Sequence, residues 1–387
     1  MTPRACARPV RSPCARPMRS PCARPMRSPC ARPMRSPSTG GVGVPFSARF
    51  RSAGSGRNPD GVPVGGLRMS RTYEYSHIPV MVAEVVELLA GVPPGVVLDG
   101  TAGGGGHARA VLDAAAQVSV LALDQDPDAV AASTAALAGY GGRARVVKAR
   151  FDAASRVAGA AGASRLSGAL FDLGVSSPQL DRPERGFSYW SDAPLDMRMD
   201  TSAPAGAGEV VNGWAQADLA SLFAGHGETR FARRIAAAVV AARPIHTTAQ
   251  LAEVVRAAIP AAARRHGGHP ARRVFQAVRV AVNDELRILP GALDDVIDML
   301  APGGRLVVLS YHSGEDRVVK DRFARAATGD CTCPTALPCV CGAVPVARLL
   351  NRGARKPSPS EVAANPRAGS ARLRAIEALD RPTQVHR

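Results

Sequence analysis

The chain has 387 residues, enough for about two domains, and 46% hydrophobic against 21% charged residues excludes a wholly unstructured protein. Its net charge of +17 is uneven: residues 1–70 hold 13 Arg and one acid, Asp60, so the remainder carries only +5 and makes a weak case for general polyanion binding. No stretch reaches the roughly 20 apolar residues of a membrane helix, and the leader lacks the apolar run of a signal peptide, so a cytoplasmic protein is expected.

The leader repeats with period eight, CARPVRSP and then CARPMRSP three times, ending at Pro37. Proline at this density prevents helix and central strand, so a disordered leader over 1–70 is predicted. It reads either as a basic arm that touches RNA or as an extension upstream of a natural start at Met69, and the second reading is preferred. Its cysteines, Cys6, Cys14, Cys22 and Cys30, merely follow the repeat.

From Arg71 a folded chain is expected. Pro79 opens a helix carrying Val82, Val85, Val86 and Leu89 at helical spacing, and Pro93 to Gly95 ends it. Val96 to Leu98 then reads as a buried strand ending at Asp99, with a glycine loop at Gly103 to Gly106 and a helix from His107 to Ala116. A second strand, Ser119 to Leu123, ends at Asp124 and precedes a helix over Pro127 to Leu137. Strands at Arg145 to Ala149 and Gly168 to Phe171 follow, the latter ending at Asp172. Such alternation with short links predicts a parallel, doubly wound α/β sheet.

From about Pro178 to Leu289 the pattern holds helices only: 216–223, 228–242, 248–259 and a long one over 270–288. Alternation resumes with a helix at 292–300, a strand at 305–310 and a helix at 315–326, and a short strand at 371–376 closes the chain. The expected organisation is a leader (1–70), a first part of the sheet domain (71–177), an inserted helical domain (178–289) and a second part (290–387) with a Cys-rich loop at 330–342. In that loop Cys331, Cys333, Cys339 and Cys341 form C-x-C-x5-C-x-C. Four thiolates so close suit a tetrahedral zinc, but C-x-C strains the chelate, and free or partly oxidised thiols are the competing reading.

Ligands of doubly wound sheets lie beyond the carboxyl ends of the strands, which places Asp99, Asp124, Asp172 and the glycine loop together. Gly103, Gly105 and Ala108 satisfy G-x-G-x-x-G/A, so a nicotinamide-dependent dehydrogenase competes. Against it, three residues and an acid separate the strand from the first glycine. An acid sits badly with a pyrophosphate but well with the cationic aminoacyl end of S-adenosylmethionine, and Asp124 suits both ribose hydroxyls. The loop is similar to the D-P-F-x-G-S-G-T loop of enzymes that methylate exocyclic amines of bases, and Asp172 with LGVSSPQL stands where those enzymes carry a D-P-P-Y type motif. Such an amine has its lone pair delocalised into the ring, so transfer needs acceptors on its hydrogens, for which Asp172 and Ser176 are the candidates. No aromatic follows in that motif, which leaves Phe187, Tyr189 and Trp190 to stack the base.

The segments HIPVM (77–81), DGTAGGGGHA, ALDQDPDA, FDLGVSSPQLDRPERGFSYWSDAPLDMRMD, HPARRVFQAVRVAVNDEL, APGGRLVVLSYHSGEDRVVK and NPRAGSARLRA closely resemble the bacterial RsmH (MraW) family. The resemblance spans Tyr75 to Ile376. It implies a Rossmann-like class I methyltransferase that uses S-adenosylmethionine to methylate the N4 amino group of a cytosine in the decoding region of 16S ribosomal RNA. By the family's pattern Gly105, Gly106, His107, Asp124, Phe151, Asp172 and Gln179 map to the cofactor pocket, and Asp99 and Gly103 join them by position. Ala102 and Gly104 depart from the bulky and charged residues that relatives often carry there.

Several of these residues have blander readings. His107 suits a helix cap, Phe151 a core aromatic, and Asp126 and Asp128 a helix amino terminus. In the helix from Pro270, Arg272, Gln276, Arg279 and Asn283 form a stripe that periodicity alone assigns to solvent. Beside a cofactor cleft it becomes a candidate RNA surface, together with Arg182, Arg185 and Arg198, while His312 and Glu315 are candidates to line the cleft. A DNA cytosine-N4 methyltransferase and a non-catalytic RNA-binding module remain alternatives. Deleting residues 1–68 is expected to leave methyl transfer to small ribosomal subunits intact; a large loss in a methyl-incorporation assay would instead assign the leader a role.

Overall fold

A computed structural model describes residues 79–264, 269–334 and 340–380, so the leader, His77 and Cys339 lie outside the described residues. Seven strands form one sheet in the order β3-β2-β1-β4-β5-β7-β6: β1 (Gly95–Asp99), β2 (Val118–Asp124), β3 (Ala144–Lys148), β4 (Leu166–Asp172), β5 (Leu300–Ser310), β6 (Ala347–Leu349) and β7 (Arg372–Ala378). The first five pair in parallel, and β7 is antiparallel to both β5 and β6. β1, β2 and β4 are near-continuous apolar runs because both faces of a parallel sheet are covered. Val85, Leu89, Val111, Leu112 and Leu137 cover one face. Ala154, Ala158, Leu289, Leu293, Val296, Val319 and Phe323 cover the other.

Local chemistry sets many of the element ends. The helix Pro127–Leu137 begins where the sequence places it, because Asp126 accepts the Asp128 N–H and Pro127 occupies the first turn, where no N–H is needed. The expected long helix over 270–288 is instead two, Arg272–Val282 and Glu285–Met299, broken where Asp284 takes a left-handed φ of 58°. Pro290 does not end the second, which runs through it. The break separates two cores: Val274 and Val278 pack within the helical region, whereas Leu289 and Leu293 pack under the sheet.

Between β4 and β5 the helices Ala207–Gly213, Gln216–Gly225, Ala232–Ala241, Thr248–Ala258 and Arg272–Val282 surround a core of their own, including Leu219, Phe223, Ile235, Val239, Leu251 and Val255. What ties this insertion to the sheet is polar. Asp126 is 2% exposed as a side chain, and its Oδ2 accepts from Arg185 Nη2 at 2.9 Å and from Gln179 Nε2 at 2.8 Å. The same Nη2 donates to the carbonyls of Arg198 and Met199, at 3.0 and 3.2 Å. Asn283 receives the Met199 N–H at 2.8 Å and donates to the Met197 carbonyl at 2.9 Å. The segment 196–200 is thus pinned from both sides.

Removing one member of a buried, hydrogen-bonded ion pair strands the other charge at a cost of about 3–5 kcal/mol. Arg185→Ala is therefore expected to lower unfolding stability by roughly that amount in denaturant titrations. A cost within the ~0.5 kcal/mol of an ordinary surface substitution would contradict this role.

Candidate active site

A cleft of about 1160 Å³ opens beyond the carboxyl ends of β1, β2, β4 and β5, at the point between β1 and β4 where the strand order reverses. Its floor is the loop after β1. Ala102 N–H donates to Leu123 O at 2.8 Å and Gly103 N–H to Asp124 Oδ2 at 2.9 Å, which locks the loop onto the end of β2. Gly105 has φ 78°, and any Cβ there would lie 3.3 Å from the Ser133 backbone, so the loop and the neighbouring helix approach too closely for a side chain. A Cβ on Gly106 would meet Pro79 at 2.3 Å.

The acids at the strand ends occupy different environments. Asp99 is buried beneath the loop and does not line the cleft. Its Oδ1 accepts the Thr101 N–H at 3.1 Å, its Oδ2 has no protein partner, and burial pushes its carboxyl up to about 6 against the pull of His107. Asp124 does line the cleft, and burial raises it to about 6 as well, opposed by backbone N–H groups of Asp126 and Gly103. Asp172 faces the cleft between Tyr311, whose hydroxyl donates to Oδ1 at 2.8 Å, and His107, whose Nδ1 is 3.6 Å from Oδ2. Burial, then the Asp172 charge, keeps the Tyr311 phenol neutral and a donor.

Other candidates are more constrained than the sequence suggests. His107 is no cap, because Gly105 holds the N-cap position; His107 Nε2 instead donates to the Val80 carbonyl at 2.9 Å, tying the first helix to the loop. Gln179 lines the cleft, but its amide is engaged at both ends, with Ser176 N–H on Oε1 and Asp126 on Nε2. The Ser176 hydroxyl is buried with no partner. Phe151 combines two readings: it packs on Phe171 in the sheet core, centroids 5.7 Å apart, and also borders the cleft.

The structure removes most of the expected RNA-facing arginines. Arg198 is held by Asp196, at 2.8 Å to each carboxylate oxygen, and by the carbonyls of Thr201 and Ala203. Arg182 pairs with Asp128, and Arg185 is the buried pin described above. None of the three lines the cleft. Arg279 does, but it is buried on Glu285 at 2.8 and 2.9 Å, with Glu315 at 3.9 Å. His312 also lines the cleft while capping the helix Ser313–Thr328, its Nδ1 accepting the Gly314 N–H at 3.2 Å. Such pairings leave no mark on sequence periodicity.

Of the expected arginines, Arg272 is left exposed at the cleft, with no acid partner among the described residues, beside an aromatic wall; Arg109, which also lines the cleft, is exposed as well. Tyr189 stacks on His269, centroids 4.4 Å apart and planes 12° apart, and Trp190 lies against both at 5.1 and 5.0 Å while 77% exposed. Phe187 is buried in the insertion core but reaches the cleft edge. Sequence reasoning missed Tyr311 and His269. Tyr311 was findable, since it directly follows the end of β5 as the acids end β1, β2 and β4.

A nicotinamide-binding sheet is mostly parallel, with the strand order 3-2-1-4-5-6. Here β7 runs antiparallel between β5 and β6, and acids rather than phosphate-binding glycines end the strands, which together define a Rossmann-like class I methyltransferase fold. The chain belongs to the MraW methylase family, whose pattern matches residues 74–379. It is 53% identical over 309 residues to the ribosomal RNA small subunit methyltransferase H of Acidothermus cellulolyticus, covering 78% of this chain and 94% of that one. To the protein of the same name in Symbiobacterium thermophilum it is 49% identical over 310 residues, covering 79% and 97%. Among solved structures, an rRNA methylase from Streptococcus thermophilus aligns over 79% of this chain and 100% of its own at 12% identity and a TM-score of 0.36.

An acid raised by burial opposes folding when ionised. The native state holds a proton that the unfolded chain releases between the ordinary carboxylate value of 3.8 and about 6, so stability from Asp99 is lost as pH rises through that window. Asp99→Asn is therefore expected to raise the thermal midpoint of the ligand-free protein by a margin that grows from pH 4 to 6 and is flat above. A gain independent of pH, or none at pH 7.5, would show that the buried carboxylate carries no such cost.

Proposed function

We propose that the protein transfers a methyl group from S-adenosylmethionine to the N4 amino group of a cytosine in the decoding region of 16S ribosomal RNA, acting on the small ribosomal subunit. One observation carries this reading: in a chain of the MraW methylase family, the acidic ends of β2 and β4 face one cleft, one suited to the donor and the other to an amine. The residues fit the donor by their chemistry. Asp124 offers a carboxylate that can accept from two ribose hydroxyls, since each oxygen has lone pairs beyond those taken by the Gly103 and Asp126 N–H groups. The orphaned Asp99 Oδ2 lies close beneath and, when ionised, favours a cation above the loop. When bound, the donor supplies an electrophilic methyl group on sulfur.

The rest falls to the chain's own side chains. The Asp172 carboxylate and the unpartnered Ser176 hydroxyl accept from the amine hydrogens, which frees lone-pair density at N4 for attack. Tyr311 fixes the Asp172 carboxylate by donating to Oδ1, and the His107 ring, held by its Nε2 bond to the Val80 carbonyl, flanks Oδ2. Tyr189 and Trp190 offer ring faces to the flipped base or its neighbour, and Arg272 a cation to the backbone. Among the described residues no helix is long and apolar enough to cross a membrane.

Losing one preorganised polar contact to a transition state typically costs about 10²–10³ in rate. Asp172→Asn is expected to lower single-turnover methyl transfer to small subunits, measured at saturating donor, by about that factor. Unchanged transfer would remove Asp172 from the chemistry. Subunit binding without any transfer by the unaltered protein would instead support a non-catalytic RNA-binding module.

A further inference from the structure

The loop between the helix Ser313–Thr328 and β6 takes no part in the cleft, yet it holds the one cluster of three or more metal-ligating side chains found among the described residues. The backbone brings its two limbs together. The helix ends at Gly329, with φ 63°, and Asp330 follows at φ 59°, so the chain turns sharply into Cys331. The returning limb passes so close that a Cβ on Gly329 would lie 2.5 Å from the Val344 carbonyl carbon. Val346 N–H then donates to Ala326 O at 2.9 Å and leads into β6.

Within this frame the sulfurs of Cys331, Cys333 and Cys341 all lie within 4.8 Å of one another. Cys331 and Cys341 sulfurs are 3.6 Å apart. A disulfide needs about 2.05 Å. Sulfurs bound to one tetrahedral zinc at ~2.3 Å stand about 3.8 Å apart. The short contact joins the two C-x-C pairs rather than the members of one pair, so the strained short chelate is not what brings these two together. Among the described residues of the loop, Val340 is 89% and Val344 58% exposed.

We propose that Cys331, Cys333 and Cys341 bind a zinc ion that clasps this loop between the helix Ser313–Thr328 and β6. Each thiol gives up its proton on binding, and the binding free energy adds to the stability of the loop. Cys339 lies outside the described residues, and the proposal does not depend on it. The site is structural, since none of the three thiols lines the cleft.

The test uses the full chain, expressed without a metal-binding tag in zinc-supplemented medium. Elemental analysis is expected to find about one zinc per chain, retained when Cys6, Cys14, Cys22 and Cys30 are all replaced by Ser and lost in Cys331→Ser/Cys333→Ser/Cys341→Ser. Cobalt exchanged into the unaltered protein is expected to give the intense thiolate-to-cobalt charge-transfer band and tetrahedral d–d bands, a readout that does not require the triple variant to fold. Chelation is expected to raise hydrogen exchange across 331–346 while methyl transfer stays within two-fold. Absence of zinc, zinc that leaves with the leader cysteines, or loop thiols that are unreactive until a disulfide is reduced would each overturn the proposal.

Discussion

The architecture turns on one carboxylate. Asp126 sits at the amino terminus of the helix after β2, where its Oδ1 caps that helix and its buried Oδ2 must find cations or donors. It finds Gln179, from the loop after β4, and Arg185, from the start of the insertion. Three segments distant in sequence are thereby fixed around one end of the sheet. The insertion has a core of its own, so hydrophobic burial stabilises its helices; the position of its segment 197–199 relative to the cleft is set by the grip of Arg185 and Asn283.

This arrangement gives the cleft its electrostatic character. Its inner side is acidic: burial raises Asp99 and Asp124 to about 6, and a cationic ligand would lower both again. Of the arginines that line the cleft, Arg279 and Arg367 are spent on Glu285 and Asp181, while Arg109 and Arg272 stay exposed. Beside Arg272 stands a stacked aromatic wall. Such a surface suits an unstacked base more than a duplex backbone.

Much of this was legible in the sequence. The alternation of apolar runs and helical spacing located β1 to β5, and the rule that ligands sit at strand ends located Asp124 and Asp172 in the cleft. The hidden part has specific causes. β6 has only three residues, too few to show a period. The helix Ala154–Ala160 is built from small residues with little amphipathic contrast. The helix break at Asp284 depends on a left-handed backbone that no glycine announces. Asp99 ends its strand as expected, yet lies under the loop rather than beside a ligand, because burial depth is a tertiary property. The arginines were overread for the same reason: an ion pair formed across 59 residues, as between Asp126 and Arg185, leaves no local pattern.

The central claim is that the acid-ended strands around this cleft carry out methyl transfer to a single cytosine. It is tested most directly by mass mapping of 16S ribosomal RNA from a strain lacking the protein, with and without a plasmid copy. One cytosine of the decoding region is expected to lose a base methyl group and to regain it with the plasmid. An unchanged methylation map in the deletion strain would contradict the account.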